Sequence, residues 1–248
     1  MSALFGTGRI LVRNRRNCAD GSRRAQGRRR LGRGVLLWML LPAMAAVSGT
    51  VVVNAAARGG SGAELAAALA RAADAARGAE LYRNCAACHG VDGGGVADGS
   101  IPAIAGQPQP VLVKQLIDFR RGARLDIRME HFADRRHLES PQDIADVAAY
   151  TAALRRTTPA GIGSGAELAT GSRAWLDSCS GCHGATGQGD AARKLPRLAG
   201  QHAGYLERQL LDTADGRRSS MTAIHRKTFK RLSPEQIAGI ADYLSRQQ

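Results

Sequence analysis

Two five-residue stretches carry reactive side chains at a fixed spacing: Cys85-Ala86-Ala87-Cys88-His89 and, 94 positions later, Cys179-Ser180-Gly181-Cys182-His183. Two thiols three positions apart, with an imidazole directly after the second, form the pattern for covalent attachment of a c-type haem. In that chemistry the cysteines form thioethers to the two vinyl groups of one porphyrin, and the adjacent histidine is the proximal ligand of the iron. Paired cysteines have other uses. Four thiolates from two C-x-x-C units can build a tetrahedral zinc site, but structural zinc ribbons separate the units by roughly 15–20 residues. One C-x-x-C can also be a redox dithiol or a disulfide of an exported protein. Neither use requires a histidine at the same following position twice.

An iron held by one histidine has a second axial position, and its occupant decides between electron transfer and chemistry on oxygen or peroxide. Beyond residue 58 the chain has two methionines, Met129 and Met221, which follow His89 and His183 by 40 and 38 residues. Methionine is commonly core filler, but these two sit in Arg-rich and Ser-rich loops, so both are expected to be axial ligands. The competitors are His131, two residues after Met129, and His225, four after Met221; either would give a bis-histidine centre of lower potential. His137 and His202 have no counterpart in the other half and are expected at the surface. His202 stands where the first half has Pro108.

The elements that position these residues also come in two copies. An alanine-rich helix is expected from about Glu64, after a Gly-Gly-Ser-Gly linker at 59–62, and should run to Leu81 and Tyr82 just before the first motif. Glycines after His89 end it. A helical stretch from Val111 to Arg121 follows. Ser140-Pro141 opens a last helix with an N-cap and a proline at the first helical position. The Thr157–Ser164 linker leads to the second copy. Pro196–Gln201 (PRLAGQ) matches Pro102–Gln107 (PAIAGQ) at the same 94-residue offset, whereas Ser233–Tyr243 mirrors Ser140–Tyr150 at 93. The chain is therefore read as all-α, with one small helical domain duplicated. The segments are 1–33, a basic stretch; 34–58, an export signal or anchor; 59–77, linker and helix; 78–156, first domain; 157–164, linker; and 165–248, second domain.

The formal charge of +14 would suit a nucleic-acid binder, but its distribution argues against one. Residues 1–58 carry eleven arginines against Asp20, and the remaining residues are left with a net charge of +4, which four haem propionates would cancel. The uncharged run within 34–53 reads as a signal for export to the periplasm, with the chain unfolded because haem is attached afterwards; if retained, it would tether the protein to a membrane. Aromatic residues make up 4% of the chain, few for domains of this size, and a buried porphyrin would supply the missing apolar bulk.

Taken together, CxxCHG, P-x-x-AGQ, a lone methionine and SPxxIAxxAxY, all duplicated over residues 78–248, resemble the dihaem class I cytochromes c of the c4 type. The resemblance implies tandem domains in which the first and last helices cross above a covalent haem. It assigns Cys85, Cys88 and His89 to one haem and Cys179, Cys182 and His183 to the other, with Met129 and Met221 as distal ligands. It places Pro102 and Pro196 where a proline carbonyl accepts a hydrogen bond from the proximal imidazole. Tyr150 and Tyr243 match a packing aromatic of the last helix. The implied function is one-electron transfer without catalysis, from a quinol-oxidising cytochrome bc complex to a terminal oxidase. An alternative is the electron-accepting subunit of a periplasmic dehydrogenase acting on sulfide, thiosulfate or an alcohol. A dihaem peroxidase would need an open iron position, against which two matched methionines argue. Arg120, Arg121, Arg217 and Arg218 are expected on a solvated face that could steer an acidic partner.

Overall fold

The computed structural model describes residues 55–248, with side chains from residue 62 onward. The basic leader and the apolar run at 34–53 lie outside the described residues. The chain forms α1 (Ala55–Leu69), α2 (Ala75–His89), α3 (Gln109–Arg120), α4 (Ile127–Ala133), α5 (Pro141–Ala153), α6 (Leu168–Ser178), α7 (Ser180–His183), α8 (Ala203–Ala214), α9 (Ala223–Phe229) and α10 (Pro234–Ser245). Among the described residues the sole β feature is an isolated bridge between Asp190 and Leu195.

The alanine-rich stretch is two helices, not the single one expected, and Gly59–Gly62 lies inside α1. Alanine periodicity continues through the break, but Asp74 stops it. Its carboxylate accepts the N–H groups of Ala76 (2.9 Å) and Arg77 (3.1 Å) and so caps α2. The capping boxes at Ser140 and Ser233, each followed by proline, open α5 and α10 as the sequence expects.

In each half the helix before the motif crosses the last helix, α2 over α5 and α6 over α10. Glycine makes both crossings close. A Cβ on Gly78 would lie 2.2 Å from the Asp146 carbonyl oxygen, and one on Gly171 would lie 1.8 Å from the Gly239 carbonyl carbon. Backbone therefore touches backbone, which sets where each motif emerges. The first core gathers Tyr82, Val113, Ile117, Ile144 and Val147; the second gathers Trp175, Leu206, Ile240 and Leu244.

The first half has a brace that the second lacks. Helix α1 packs on α3 and α5, and its Glu64 side chain, 6% exposed, bonds Arg120 at 2.6 Å and Arg135 at 3.0 Å, with Arg121 at 3.5 Å. No helix occupies the stretch between α5 and α6. The solvated arginine face expected from sequence is formed only in part: Arg121 and Arg217 are exposed, Arg120 and Arg218 are not. The Arg120 side chain is buried against Glu64, Arg218 is half-buried between the halves, where it bonds Gln115, and exposed Arg217 is paired with Asp212 and Asp215.

Candidate functional site

At the first centre the C-terminal turns of α2 present Cys85 half-buried, Cys88 exposed and His89 buried. Gly90, at φ +79°, lets the chain reverse after the imidazole. Nδ1–H of His89 donates to the Pro102 carbonyl at 2.9 Å, which fixes the ring and leaves Nε2 unengaged. Burial lowers the proton affinity of His89, partly opposed by that bond. Tyr82, one turn before the motif, donates its hydroxyl to the Gly90 carbonyl at 2.8 Å and pins the reversal. The N-terminus of α4 faces this group. Asp126 and Arg128 are near enough to act on the charge of His89, and Arg128 is near enough to feel Cys88. Met129 is the third residue of α4 and donates its N–H to Asp126 at 3.3 Å.

The second centre repeats this plan with differences. Cys179 is half-buried and Cys182 exposed, in the short α7. Trp175 takes the place of Tyr82, and its Nε1–H donates to Ala185 at 2.7 Å. Nδ1 of His183 is buried without a hydrogen-bond partner; the Pro196 carbonyl is near enough to act on its charge, but the bond does not close. Burial, then the neighbouring His225 and Arg193, push the His183 pKa down to about 4. The ring of His225, from α9, stands 5.9 Å from that of His183. Met221 precedes α9, with its N–H directed to the Arg218 carbonyl at 3.3 Å. At both centres burial, followed by the neighbouring cysteine, raises the inner thiol to about 11, which keeps it from acting as a thiolate dithiol at neutral pH.

A hydrogen-bonded seam joins the halves and obeys the repeat. The Gln107 amide donates to the Arg197 carbonyl (2.6 Å) and accepts the Arg197 N–H (3.1 Å). Gln201 does the same to Ala103, at 2.7 and 2.9 Å. Arg197 and Ala103 directly follow Pro196 and Pro102. His202, expected at the surface, is 0% exposed. Its Nδ1 accepts the Gly161 N–H at 2.9 Å and its Nε2–H donates to the Gly94 carbonyl at 2.8 Å. That pairing requires the neutral imidazole, whose pKa burial lowers. His137 also departs from expectation: it is half-buried against His131 and Phe132, with Nδ1 unpartnered. Asp92, just past the first motif, accepts the N–H and hydroxyl groups of Thr157 and Thr158 in the linker, at 2.7–2.9 Å. These bonds hold its carboxyl well below the usual range.

At the edge of the seam two repeat-related arginines meet. Arg124 bonds Gln115 (2.5 Å), Gln209 (2.9 Å) and the Tyr205 hydroxyl. Arg218 is half-buried with its Nε buried and unpartnered, and burial plus the charge of Arg124 pull its pKa down to about 10. Two cations held together with an orphaned donor suit an anionic group, and haem propionates are such groups. With the paired thiols and the free Nε2 of His89, the residues fit a c-type haem in each half. Sequence reasoning missed Tyr82, Trp175, Gln107 and Gln201 as positioning residues; Gln107 and Gln201 match within the repeat, whereas Tyr82 and Trp175 are offset by 93 and do not.

The family model described as Cytochrome c matches residues 75–155 and again 168–248. The chain is 36% identical to cytochrome c4 of Pseudomonas aeruginosa over 181 residues, covering 70% of this chain and 88% of that one. It is 33% identical to the thiosulfate dehydrogenase electron acceptor of Stutzerimonas stutzeri, covering 71% and 89%. The crystal structure of reduced cytochrome c4 from Pseudomonas stutzeri superposes with a TM-score of 0.63 at 32% identity, covering 71% of this chain and all of that one. The chain therefore belongs to the cytochrome c family, as a two-domain, dihaem electron-transfer protein of the cytochrome c4 type.

Proposed function

We propose that the protein is a periplasmic shuttle that moves single electrons from a quinol-oxidising cytochrome bc complex to a terminal oxidase, using domains at 78–156 and 165–248. Cys85 and Cys88 hold one haem, and Cys179 and Cys182 the other, with His89 and His183 as proximal ligands. When bound, each haem supplies one-electron exchange between ferric and ferrous iron. The chain's own residues set its terms. The Pro102 carbonyl orients His89 and strengthens it as a donor. Met129 closes the sixth position of the first centre and favours the ferrous state, which also argues against peroxidase activity. At the second centre Met221 would take the matching distal role, and Pro196 stands beside His183. Arg124 and Arg218 anchor propionates at the seam. Residues 34–58 direct export before haem attachment, and a retained 34–53 run would tether the carrier to the inner membrane.

The observation that carries this reading is the duplicated motif joined by a seam that touches both proline segments, an arrangement that supports two redox centres within reach of each other. A redox titration of the purified holoprotein tests it. Two one-electron steps and no rapid turnover with peroxide are expected; Met129→Ala should lower one potential and leave the other. An unchanged pair of potentials in Met129→Ala would remove that ligand, and fast peroxide reduction would remove the carrier role.

A second reading, the electron-accepting subunit of a dehydrogenase, is favoured by the 33% identity to a thiosulfate dehydrogenase electron acceptor. It predicts co-purification with a dehydrogenase and rapid reduction by thiosulfate in its presence. No reduction under those conditions would leave the shuttle.

A further inference from the structure

A cavity of about 780 Å³ lies where the C-terminal ends of α5 and α10 meet the segments that follow Pro102 and Pro196. Its walls come from both halves, and its size is within the range of roughly 300–1,000 Å³ that small-molecule sites occupy. Its charge is one-sided. Arg155, Arg156, Arg197 and Arg246 line it, and no aspartate or glutamate does. Arg246 is already paired with Asp242 at 2.6 Å and donates to the Gly163 carbonyl at 2.8 Å. Among the described residues no carboxylate pairs with the other three arginines. Asp92 is near enough to act on Arg156, but its carboxylate is engaged by Thr157 and Thr158.

Arg156 is the anchor of the site. Its Nε donates to the Thr158 carbonyl at 2.5 Å and its Nη1 to the Gly200 carbonyl, so the guanidinium is held across the boundary between the halves. Nη2 is buried and has no hydrogen-bond partner. A buried donor left over in this way calls for an acceptor. Burial lowers the proton affinity of Arg156, and the charge of Arg197 lowers it further. Arg197 is not dictated by the repeat, because its counterpart is Ala103, on the same wall.

The guanidinium fork matches the paired oxygens of a phosphate- or carboxylate-type group. Three uncompensated cations, in a space wider than one such group, suit a ligand that carries more than one. We infer that the cavity binds a small soluble polyanion with two or more oxyanion groups, such as a diphosphate, held by Arg156 from the first half and Arg197 from the second, with Arg155 beside them. Bound there, it ties the end of the first domain to the segment after Pro196 and stabilises the junction. The inference needs neither the haems nor the electron partners proposed above.

The test is a calorimetric titration of the full-length holoprotein with inorganic diphosphate at constant ionic strength, paired with thermal unfolding. One saturable site per molecule and a rise in melting temperature are expected, with chloride at the same ionic strength giving neither. Loss of one charge-assisted bond should weaken binding by about tenfold or more in Arg156→Gln and in Arg197→Gln. Arg83→Gln, an exposed substitution on α2, should bind as the wild type does. Should Arg156→Gln fail to fold for want of its bonds to Thr158 and Gly200, Arg155→Gln and Arg197→Gln, which remove no hydrogen bond of the fold, decide the question. Absence of a saturable site, or binding that all the cavity variants retain, would overturn the inference. Phosphatidylglycerol vesicles separate a lipid phosphate from a free one. Sedimentation with them that requires Arg156 and Arg197, with no response to free diphosphate, would also overturn it, in favour of a lipid headgroup.

Discussion

The two halves share what attachment demands and differ in what surrounds it. Both present two thiols and an imidazole at the end of a helix, both pin the following turn with an aromatic hydrogen bond (Tyr82 to Gly90, Trp175 to Ala185), and both cross their outer helices through glycine. Yet His89 has its carbonyl partner and His183 does not close that bond. The first half alone is braced by α1 through Glu64, and only the first motif loop is tied to the linker, through Asp92; the matching position in the second half is Thr186. Covalent chemistry tolerates no change in the motif, whereas the residues that tune potential and rigidity are free to drift. The first half therefore reads as the stiffer centre and the second as the softer one.

The largest expected effect tests the brace. Glu64 is 6% exposed, and Arg120, its partner, 7%. Removing one member of a buried ion pair leaves the other charge uncompensated, at a cost of about 3–5 kcal/mol. Glu64→Ala should destabilise the first half by that order and leave the second unchanged, so one transition should become two in denaturant titrations followed at haem and far-ultraviolet wavelengths. A single transition shifted by less than about 1 kcal/mol would mean that α1 is a passive attachment.

His202 comes next, because it serves the junction and not either half. It is fully buried with both ring nitrogens bonded, and His202→Phe should cost about 2–3 kcal/mol through the orphaned groups of Gly94 and Gly161. Its folded pKa is lowered by burial. As the pH falls through about 6.5 the unfolded chain takes up a proton that the folded chain refuses. Stability supplied by this residue is therefore complete above that value and declines below it until the folded imidazole also titrates. Thermal unfolding between about pH 5 and 8 should show this slope in the wild type, reduced in His202→Phe.

These side chains also mark what the sequence discloses. The motifs were legible because thioether formation and iron ligation fix residue type and spacing, and the duplicated all-α fold was legible because three landmarks recur at offsets of 94 and 93. His202 was misread because it has no counterpart in the repeat, and its partners are backbone groups 108 and 41 residues away that no pattern announces. Arg120 and Arg218 looked like a charged face for the same reason: the carboxylate and the buried seam that claim them are remote in sequence. Asp74 was a readable cap, but the alanine periodicity on both sides outweighed it.

Asp92 offers a smaller effect and an opposite control. Its carboxylate holds Thr157 and Thr158 with its own pKa pulled down by those bonds. The stabilisation is present above the unfolded carboxylate value near 4 and is lost as pH falls through the lowered folded value. Asp92→Asn should cost about 1–2 kcal/mol at neutral pH and flatten the acid limb of the stability curve. Substituting Thr186, which bonds only to nearby Gln188, should leave that limb as it is.

The smallest effect is the most discriminating, because it compares two residues related by the repeat. Gln107 and Gln201 make the same pair of backbone bonds across the seam, but Gln201 is 6% exposed whereas Gln107 is only half-buried. Desolvated bonds cost more to leave unmade. Gln201→Ala should therefore cost about 1–2 kcal/mol and Gln107→Ala about 0.5 kcal/mol. The substitutions should also separate electrically. Gln201 grips Ala103, the residue after Pro102, so its loss should loosen the carbonyl that orients His89 and move the potential of the first centre. Gln107 grips Arg197, beside a Pro196 carbonyl that already fails to close on His183, so its loss should leave the second potential nearly unchanged. Equal shifts at both centres would show that the proximal bonds are equivalent in the holoprotein and that the difference between the halves lies on the distal side alone.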